Sequence, residues 1–577
     1  MVALDINDTS KALAVSGGYV AVVGLVSYFL KEKLFMSEAL LATVAGIIFG
    51  PRVLNWFNPQ EWIGGSDVDL NHLTFQITRI VIGIQVLFTG IALPKAYLKK
   101  EWLSLTTLLG PIMLAAWFVT SLLIWGLIPG LTFLECLVIA ACVTPTDPVL
   151  ANSICKGRFA EKHVPAHVRN IIVAESGAND GLGFPFLYIG LYLMLIKTPD
   201  HPMHSVGGAI AEWIYNVILY QILLSVVIGA IIGFVARKIL KFAEARSLID
   251  HESFLSFGVA LTFFTLGVVG ILGSDDILCC FIVGNSFTWD DWFRVQTESH
   301  AFQDVIDQLL SSAIFLYIGA IMPWSSFGNF HDITVWRLVC LGLLVMLLRR
   351  LPWVIGLASF KMIPTLPTWR ESAFAGFFGP IGVGAVFYNS IALEVIPVEG
   401  RENLRAVVTP VVYFLVLTSV VIHGITIPVG KGFQRARTST LSRSQTTTAG
   451  IVSRLPPPVP LERENARFDE EARTRTPRTL SRSTSMGIES GTNVHFSPLD
   501  GGKQLSGSPL YQSHQSSTTG TSLQNQSREN LPRSSTVGSQ GITETAWNEG
   551  NQVVIESEGG ENVRVLNRRS HDAHGAE

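Results

Sequence analysis

An all-α, polytopic membrane protein with about thirteen transmembrane helices and a disordered C-terminal tail is the fold class this sequence predicts, and three observations carry it. Of 577 residues, 48% are hydrophobic and only 15% charged, and the apolar residues recur in runs near bilayer-spanning length. Lysine and arginine are concentrated in every second connecting loop, the asymmetry of a multi-pass chain. After about Lys431 the composition turns to Ser, Thr, Arg, Gln, Gly and Pro with few aromatics, and such a segment cannot bury enough apolar surface to offset its ordering entropy. A net charge of −3 excludes a nucleic-acid-binding role.

The apolar segments lie near 12–30, 36–50, 74–95, 103–128, 133–155, 168–196, 211–240, 254–273, 276–288, 305–323, 333–359, 371–394 and 403–429. Two of them, 36–50 and 276–288, are short enough to be tilted or partly re-entrant. The first follows Asp5 and Asp8 and lacks the basic start and cleavage site of a secretory signal, so it is expected to be retained as a span. With the N-terminus outside the cell, the cytoplasmic loops hold Lys31, Lys33, Lys95, Lys99, Lys100, Lys156, Arg158, Lys162, Arg237, Lys238, Lys241, Arg246 and Lys361. The opposite loops hold only Arg52, Lys197, Arg401 and Arg405, which puts the tail in the cytoplasm. A transmembrane domain over 1–430 and a regulatory tail over 431–577 follow. The six cysteines lie in or beside apolar segments and read as buried small hydrophobes rather than a disulfide framework. In the tail, Arg478–Ser485 and Arg533–Thr536 have the basic-directed Ser/Thr pattern of kinase sites, with kinases and phospho-binding proteins as the implied partners; an ordinary solvated tail is the plainer reading.

Within this apolar background a few polar residues stand out. A charged residue at membrane depth costs about 2.5–3.5 kcal/mol on insertion scales, so such residues usually mark an ion or proton path. Thr144-Pro145-Thr146-Asp147-Pro148 lies inside the fifth segment. Neither proline can donate a backbone hydrogen bond and each obstructs the preceding turn, so the helix should break there. Freed backbone is tolerated in a bilayer only where protein or a wet cavity satisfies it. Thr144, Thr146 and Asp147, with loose carbonyls, would supply the hard oxygen ligands that suit alkali cations; a simple kink with an incidental Asp is the plainer reading. A second interruption, Gly379-Pro380-Ile381-Gly382, sits deep in the twelfth segment. Paired broken helices from two halves of a chain point to inverted repeats with substrate bound where they cross, against a merely Gly-rich packing face.

On the sixth segment, Glu175 and Asn179 share a helical face while Asp180 is rotated well over 100° from Glu175. One carboxylate is therefore free to be locked in an ion pair while the other faces a cavity. Ser176 and Asn179 flank Asp180, the residue expected to exchange a proton for a cation, with a cross-helix structural Asp as the alternative. Gly177 and Gly181 form a small-residue pair that lets a neighbouring helix approach. Glu175 needs a partner, for which Arg349 and Arg350 are the deep candidates, unless they snorkel to the surface. Asp275 and Asp276, after Gly273-Ser274, either line a cation vestibule or cap a helix. His423 reads as a packed histidine rather than a proton carrier.

In combination these residues resemble sodium/proton exchangers of the monovalent cation:proton antiporter group: the Thr144–Pro148 break, Glu175-Ser176 with Asn179-Asp180, a late arginine, and Ser419–Gly424. The wording at Phe378–Gly382 and Gly273–Asp276 is similar to the fungal plasma-membrane sodium/proton antiporters, and the resemblance covers about residues 10 to 430. It implies an inverted-repeat antiporter fold with two crossing broken helices, and a homodimer in the bilayer whose dimerisation and core domains move relative to each other. It also implies a cation at the Asn179–Asp180 pair and, by spacing to Val354, an ion pair between Glu175 and Arg350. The chain departs at Ile381, where animal exchangers commonly carry arginine, so their regulation and inhibitor binding do not transfer.

The resulting expectation is a secondary transporter, not an enzyme, of the plasma membrane. It would exchange cytosolic Na+, and also Li+ and K+, for extracellular H+ by alternating access, serving salt tolerance and cation and pH homeostasis, with no cofactor beyond the transported ions. A cation channel would need a filter of carbonyl or charged rings, and none appears. An intramembrane aspartyl protease using Asp147 and Asp180 would need two carboxylates sharing a proton, whereas Asn179 and the broken helix favour ion ligation.

Overall fold

The computed structural model describes residues 7–30, 36–155, 164–196, 205–297, 302–328 and 333–445, and four short strands between 534 and 567. Its contacts divide the chain into two units, Met1–Leu455 and Pro456–Glu577. Lys31, Lys33, Lys156, Arg158, Lys162, Lys197 and the Arg478–Ser485 stretch lie outside the described residues.

The first unit is helical, and each apolar segment read from the sequence contains helix. In chain order these are α1 (Asp8–Tyr28), α2 (Glu38–Phe49), α3 (Asp67–Ala92), α4 (Trp102–Leu127), α5 (Phe133–Cys142), α6 (Pro148–Cys155), α7 (Ala166–Asn179) and α8 (Phe184–Leu195). There follow α9 (Val206–Ala245), α10 (His251–Leu272), α11 (Asp276–Phe287), α12 (Phe302–Ala320), α13 (Val335–Leu348) and α14 (Leu351–Ser359). The last are α15 (Trp369–Phe377), α16 (Val383–Val395) and α17 (Glu402–Gln445). Among the described residues seven helical stretches are long and apolar enough to cross a membrane, and α2, α5, α11 and α16 are shorter apolar helices. Large apolar side chains such as Leu25 and Ile271 point outward with 88% of their surface exposed, as expected where lipid rather than water is the solvent.

Local sequence sets the helix ends. Thr132 with Glu135, and Thr368 with Glu371, close capping boxes at the starts of α5 and α15. Asp250 and Asp275 cap α10 and α11 through their side chains. Proline decides the interruptions: Pro145 and Pro148 separate α5 from α6, Pro380 separates α15 from α16, and Pro352 follows the break between α13 and α14. The sixth segment, expected as one helix, is two. It stops after Asn179 and restarts at Phe184, with Pro185 in the first turn of α8, where a missing N–H costs nothing.

Glycines let backbones touch at the tightest crossings. A Cβ on Gly46 of α2 would lie 2.0 Å from the Leu316 carbonyl oxygen of α12, and one on Gly284 of α11 would lie 2.2 Å from that of Leu87 on α3. The small pair at the end of α7 and in the turn after it meets α11 as well, Gly177 against the Phe281 ring and Gly181 against Leu278.

The second unit contains an antiparallel meander, β1 (Ser534–Val537), β2 (Thr543–Glu549), β3 (Gln552–Ser557) and β4 (Val563–Asn567), with Trp547 opposite Val554 and Val554 opposite Val565. The composition of the tail predicts disorder and no strands. The β-branched run Val553-Val554-Ile555 supplies the local preference for extended backbone inside an otherwise polar tail.

Candidate functional site

The two broken helices meet at their gaps. The link between α5 and α6 lies against the link between α15 and α16, and the Asp147 N–H donates to the Pro380 carbonyl at 2.9 Å. Each gap leaves carbonyls at the end of the preceding helix without an intrahelical partner. Arg349, fully buried at the end of α13, serves both: one Nη donates to the Val143 carbonyl and the other to the Gly379 carbonyl at 2.6 Å. One cation thus sits at the negative ends of two half-helices.

Two carboxylates flank the start of α16. A Cβ on Gly382 would fall 1.9 Å from Oδ2 of Asp147, and one on Gly384 would fall 2.5 Å from Oδ1 of Asp180. Only glycine at these positions allows the carboxylates so near the helix N-terminus, whose free N–H groups and dipole favour anions. Asp147 Oδ1 accepts from the Val149 N–H at 3.1 Å, while its Oδ2 makes no hydrogen bond among the described residues. Neither oxygen of Asp180 makes one, although the residue is only 1% exposed. Buried polar atoms are ordinarily satisfied, so three unpartnered carboxylate oxygens at one helix end define the most polar unmet demand in the crossing.

A hydrogen-bonded frame holds the neighbours. Asn179 Oδ1 accepts from the Thr146 N–H at 3.0 Å and its Nδ2 donates to Thr146 Oγ1 at 2.7 Å, which in turn contacts Ser176 Oγ at 3.0 Å. The Asn179 amide and the Thr146 hydroxyl are therefore engaged with each other, and Ser176 with Thr146. The Thr144 hydroxyl donates to the Ala140 carbonyl of α5 at 2.8 Å. Tyr388 Oη donates to the carbonyls of Asp180 and Gly181, fixing the end of α7 where the chain turns.

One turn away, Arg350 forms a two-pronged ion pair with Glu175, donating through both Nη atoms, and its Nε donates to the Ala375 carbonyl at 3.2 Å. The adjacent arginines thus divide their work, Arg350 on a carboxylate and Arg349 on carbonyls. Asp275 caps α11, its Oδ1 accepting from the Leu278 N–H at 2.9 Å and its Oδ2 unpartnered. Asp276 is engaged by Arg79 of α3 at 2.5 Å. His423 packs between the Phe377 carbonyl, 3.0 Å from Nε2, and the Ser419 carbonyl, 2.9 Å from Nδ1, while Ser419 Oγ accepts from the Ile381 N–H at 2.7 Å. These two residues of α17 splint the gap before α16.

The sequence did not point to Arg79, Tyr388, the contact of Ser419 with the Ile381 N–H or the bridging role of Arg349. Arg79 carried a signal, a lone cation in an apolar run. Tyr388 carried none, and Ser419 stood out only as part of the Ser419–Gly424 motif, because their contacts are to backbone atoms that only the fold brings near.

Fold and site together define a multi-pass helical membrane protein with unpaired carboxylates where two broken helices cross. Residues 19–429 match the model of the sodium/hydrogen exchanger transmembrane family, and the chain belongs to that family. A probable Na+/H+ antiporter of Schizosaccharomyces pombe is 42% identical over 78% of this chain and 60% of its own length. A Na+/H+ antiporter of Saccharomyces cerevisiae is 41% identical over 77% of this chain and 46% of its own. The chain thus spans only about half the length of such relatives. The fold is also similar to the sodium proton antiporter MjNhaP1 of Methanocaldococcus jannaschii, with a TM-score of 0.55 and 18% identity, covering 73% of this chain and 98% of that one.

Proposed function

We propose that this chain is a secondary transporter that exchanges Na+ for H+, with Asp180 as the group that carries either. The observation that carries this reading is the pair of Asp180 and Asp147 at the N-terminus of α16, with three carboxylate oxygens unpartnered. Two carboxylates against one helix end repel each other when both are ionised, so positive charge of either kind stabilises the pair. A dehydrated alkali cation finds hard oxygen ligands there, with the Thr146, Ser176 and Asn179 frame holding Asp147 and Asp180 in register. Protons arriving from the other side neutralise the same oxygens and release the cation. Because one site serves both ions, their fluxes are coupled.

The pair of Glu175 and Arg350 is assigned a structural role, since a carboxylate already neutralised by a guanidinium has little charge left to offer a cation. Alternating access would come from movement of the crossing helices against the glycine-packed group around α3 and α11. Li+ and K+ as further substrates, a homodimer, a plasma-membrane location and a contribution to salt tolerance and pH homeostasis complete the reading. It rests on the resemblance of the sequence motifs to the fungal plasma-membrane sodium/proton antiporters. The exchanger domain is assigned to 1–430 and the tail to regulation through its Arg-Ser/Thr clusters. Proteoliposomes loaded with a pH dye test the function directly: addition of outside Na+ should move protons in the opposite direction without an imposed voltage. Sodium entry with no proton counterflow would refute exchange and favour a channel.

A further inference from the structure

We propose that the cleft between α9 and α11, at its Arg237 end, binds an anionic membrane phospholipid, headgroup phosphate on Arg237 and acyl chain along the cleft. This goes beyond ion exchange and does not depend on it.

The cleft has a volume of about 430 Å3 and is walled mainly by Leu98, Ala230, Phe234, Ile282 and Trp289, with Arg237 as its one cation. Its walls continue onto the outward-facing apolar side of α9. Phe234 and Trp289 are 49% and 38% exposed, and Ile231, Val235, Ile239 and Phe242 of α9 also face outward. An occupant with an apolar body therefore has access from the lipid phase, and Trp289 is the residue type found where hydrocarbon meets headgroups.

Arg237 sets the chemistry of the polar end. It is only 7% exposed, and its Nε and Nη1 are buried and make no hydrogen bond among the described residues. The carboxylate it faces, Asp290, stands 3.8 Å from Nη1 and is already held by Lys241 at 2.8 Å. A guanidinium with unmet N–H groups in an apolar wall is costly, and a phosphate diester, with oxygens spaced for its fork, removes that cost. The surrounding charge selects for an anion: Arg237, Lys238, Lys241 and Arg246 stand against Glu244 on the same helix and Asp290 across the cleft. Lys and Arg are concentrated in the loops at this end of the bundle, the pattern of the cytoplasmic leaflet that carries anionic lipid. Basic pockets between transmembrane helices on that side are suited to anionic headgroups.

Native mass spectrometry and thermal unfolding of the full chain in detergent, with added phosphatidylserine, phosphatidylcholine or inorganic phosphate, test the site. Wild type should retain phosphatidylserine and unfold at higher temperature with it, and respond weakly to phosphatidylcholine and not to inorganic phosphate. Arg237→Met should weaken phosphatidylserine retention roughly tenfold or more. Ala230→Leu, which fills the cleft and leaves the guanidinium in place, should abolish the thermal shift even if Arg237→Met does not fold. An equal response to phosphatidylcholine, a response to inorganic phosphate alone, or an undiminished shift in Ala230→Leu would each overturn the proposal.

Discussion

The crossing of α3 with α11 and the crossing of the two broken helices are built on opposite principles. In the first, backbone meets backbone across Gly90 and Gly284, with no side chain between. In the second, non-helical links are held by directional bonds with Arg349, Ser419, His423 and Asn179, Tyr388 ties down the turn after α7, and the carboxylates they surround keep oxygens unpaired among the described residues. A close-packed crossing has one arrangement, because any displacement costs many small contacts at once. A hydrogen-bonded crossing with unmet polar demand has reason to accept an ion and to exchange it. Glycine serves both designs: at Gly284 it brings two helices together, and at Gly382 and Gly384 it brings charge to a helix end.

The contrast breaks most sharply if the polar crossing proves structural. Asp180→Asn should abolish Na+-dependent proton flux in proteoliposomes while leaving expression and unfolding temperature near wild type, since no hydrogen bond to the carboxylate is lost. Retained exchange in a correctly inserted protein would remove Asp180 from the mechanism. Glu175 and Arg350 should behave in the reverse manner. Glu175→Gln or Arg350→Gln alone leaves an uncompensated buried charge and should cost about 3–5 kcal/mol of stability, with partial recovery in the double variant. Strictly additive losses in that thermal-stability cycle would dissolve the pair. The packed crossing supplies the smallest expected effect. Gly284→Ala puts a methyl group 2.2 Å from the Leu87 carbonyl oxygen, and should cost about 1–3 kcal/mol by thermal unfolding while the surviving protein keeps its apparent Km for Na+. A shifted Km with unchanged stability would place the site at the wrong crossing.

How much of this was legible depended on whether a residue acts through its own chain or through a distant one. The gap at Pro145–Pro148 could be read because proline breaks a helix wherever it stands. Asp180 stood out as a carboxylate in an apolar run, but the turn that follows it did not, because Pro185 at the start of a new helix and a proline kinking a continuous one look alike in sequence. Arg349 and Arg350 were both visible as deep cations. Their division of labour needed the fold, since the chain breaks at the pair, with Arg349 closing α13 and Arg350 opening α14, and adjacent positions then meet different partners. The bond from the Thr144 hydroxyl back to the Ala140 carbonyl of α5 is a local one always open to threonine, and the sequence did not single it out. Gly382 reads from sequence as part of a break or of a Gly-rich packing face, while the closeness of Gly382 and Gly384 to two carboxylates belongs to tertiary structure alone.

The central claim, that proton and cation occupy one site at Asp180, is tested most directly by the apparent Km for Na+ as a function of pH in proteoliposomes of the wild-type chain. Competition predicts that below the pKa of the site each unit fall in pH raises Km about tenfold for a single proton, equivalent to about 1.36 kcal/mol, with little change in maximal rate. A Km that stays constant while the maximal rate falls would contradict the claim and place proton control at a separate group.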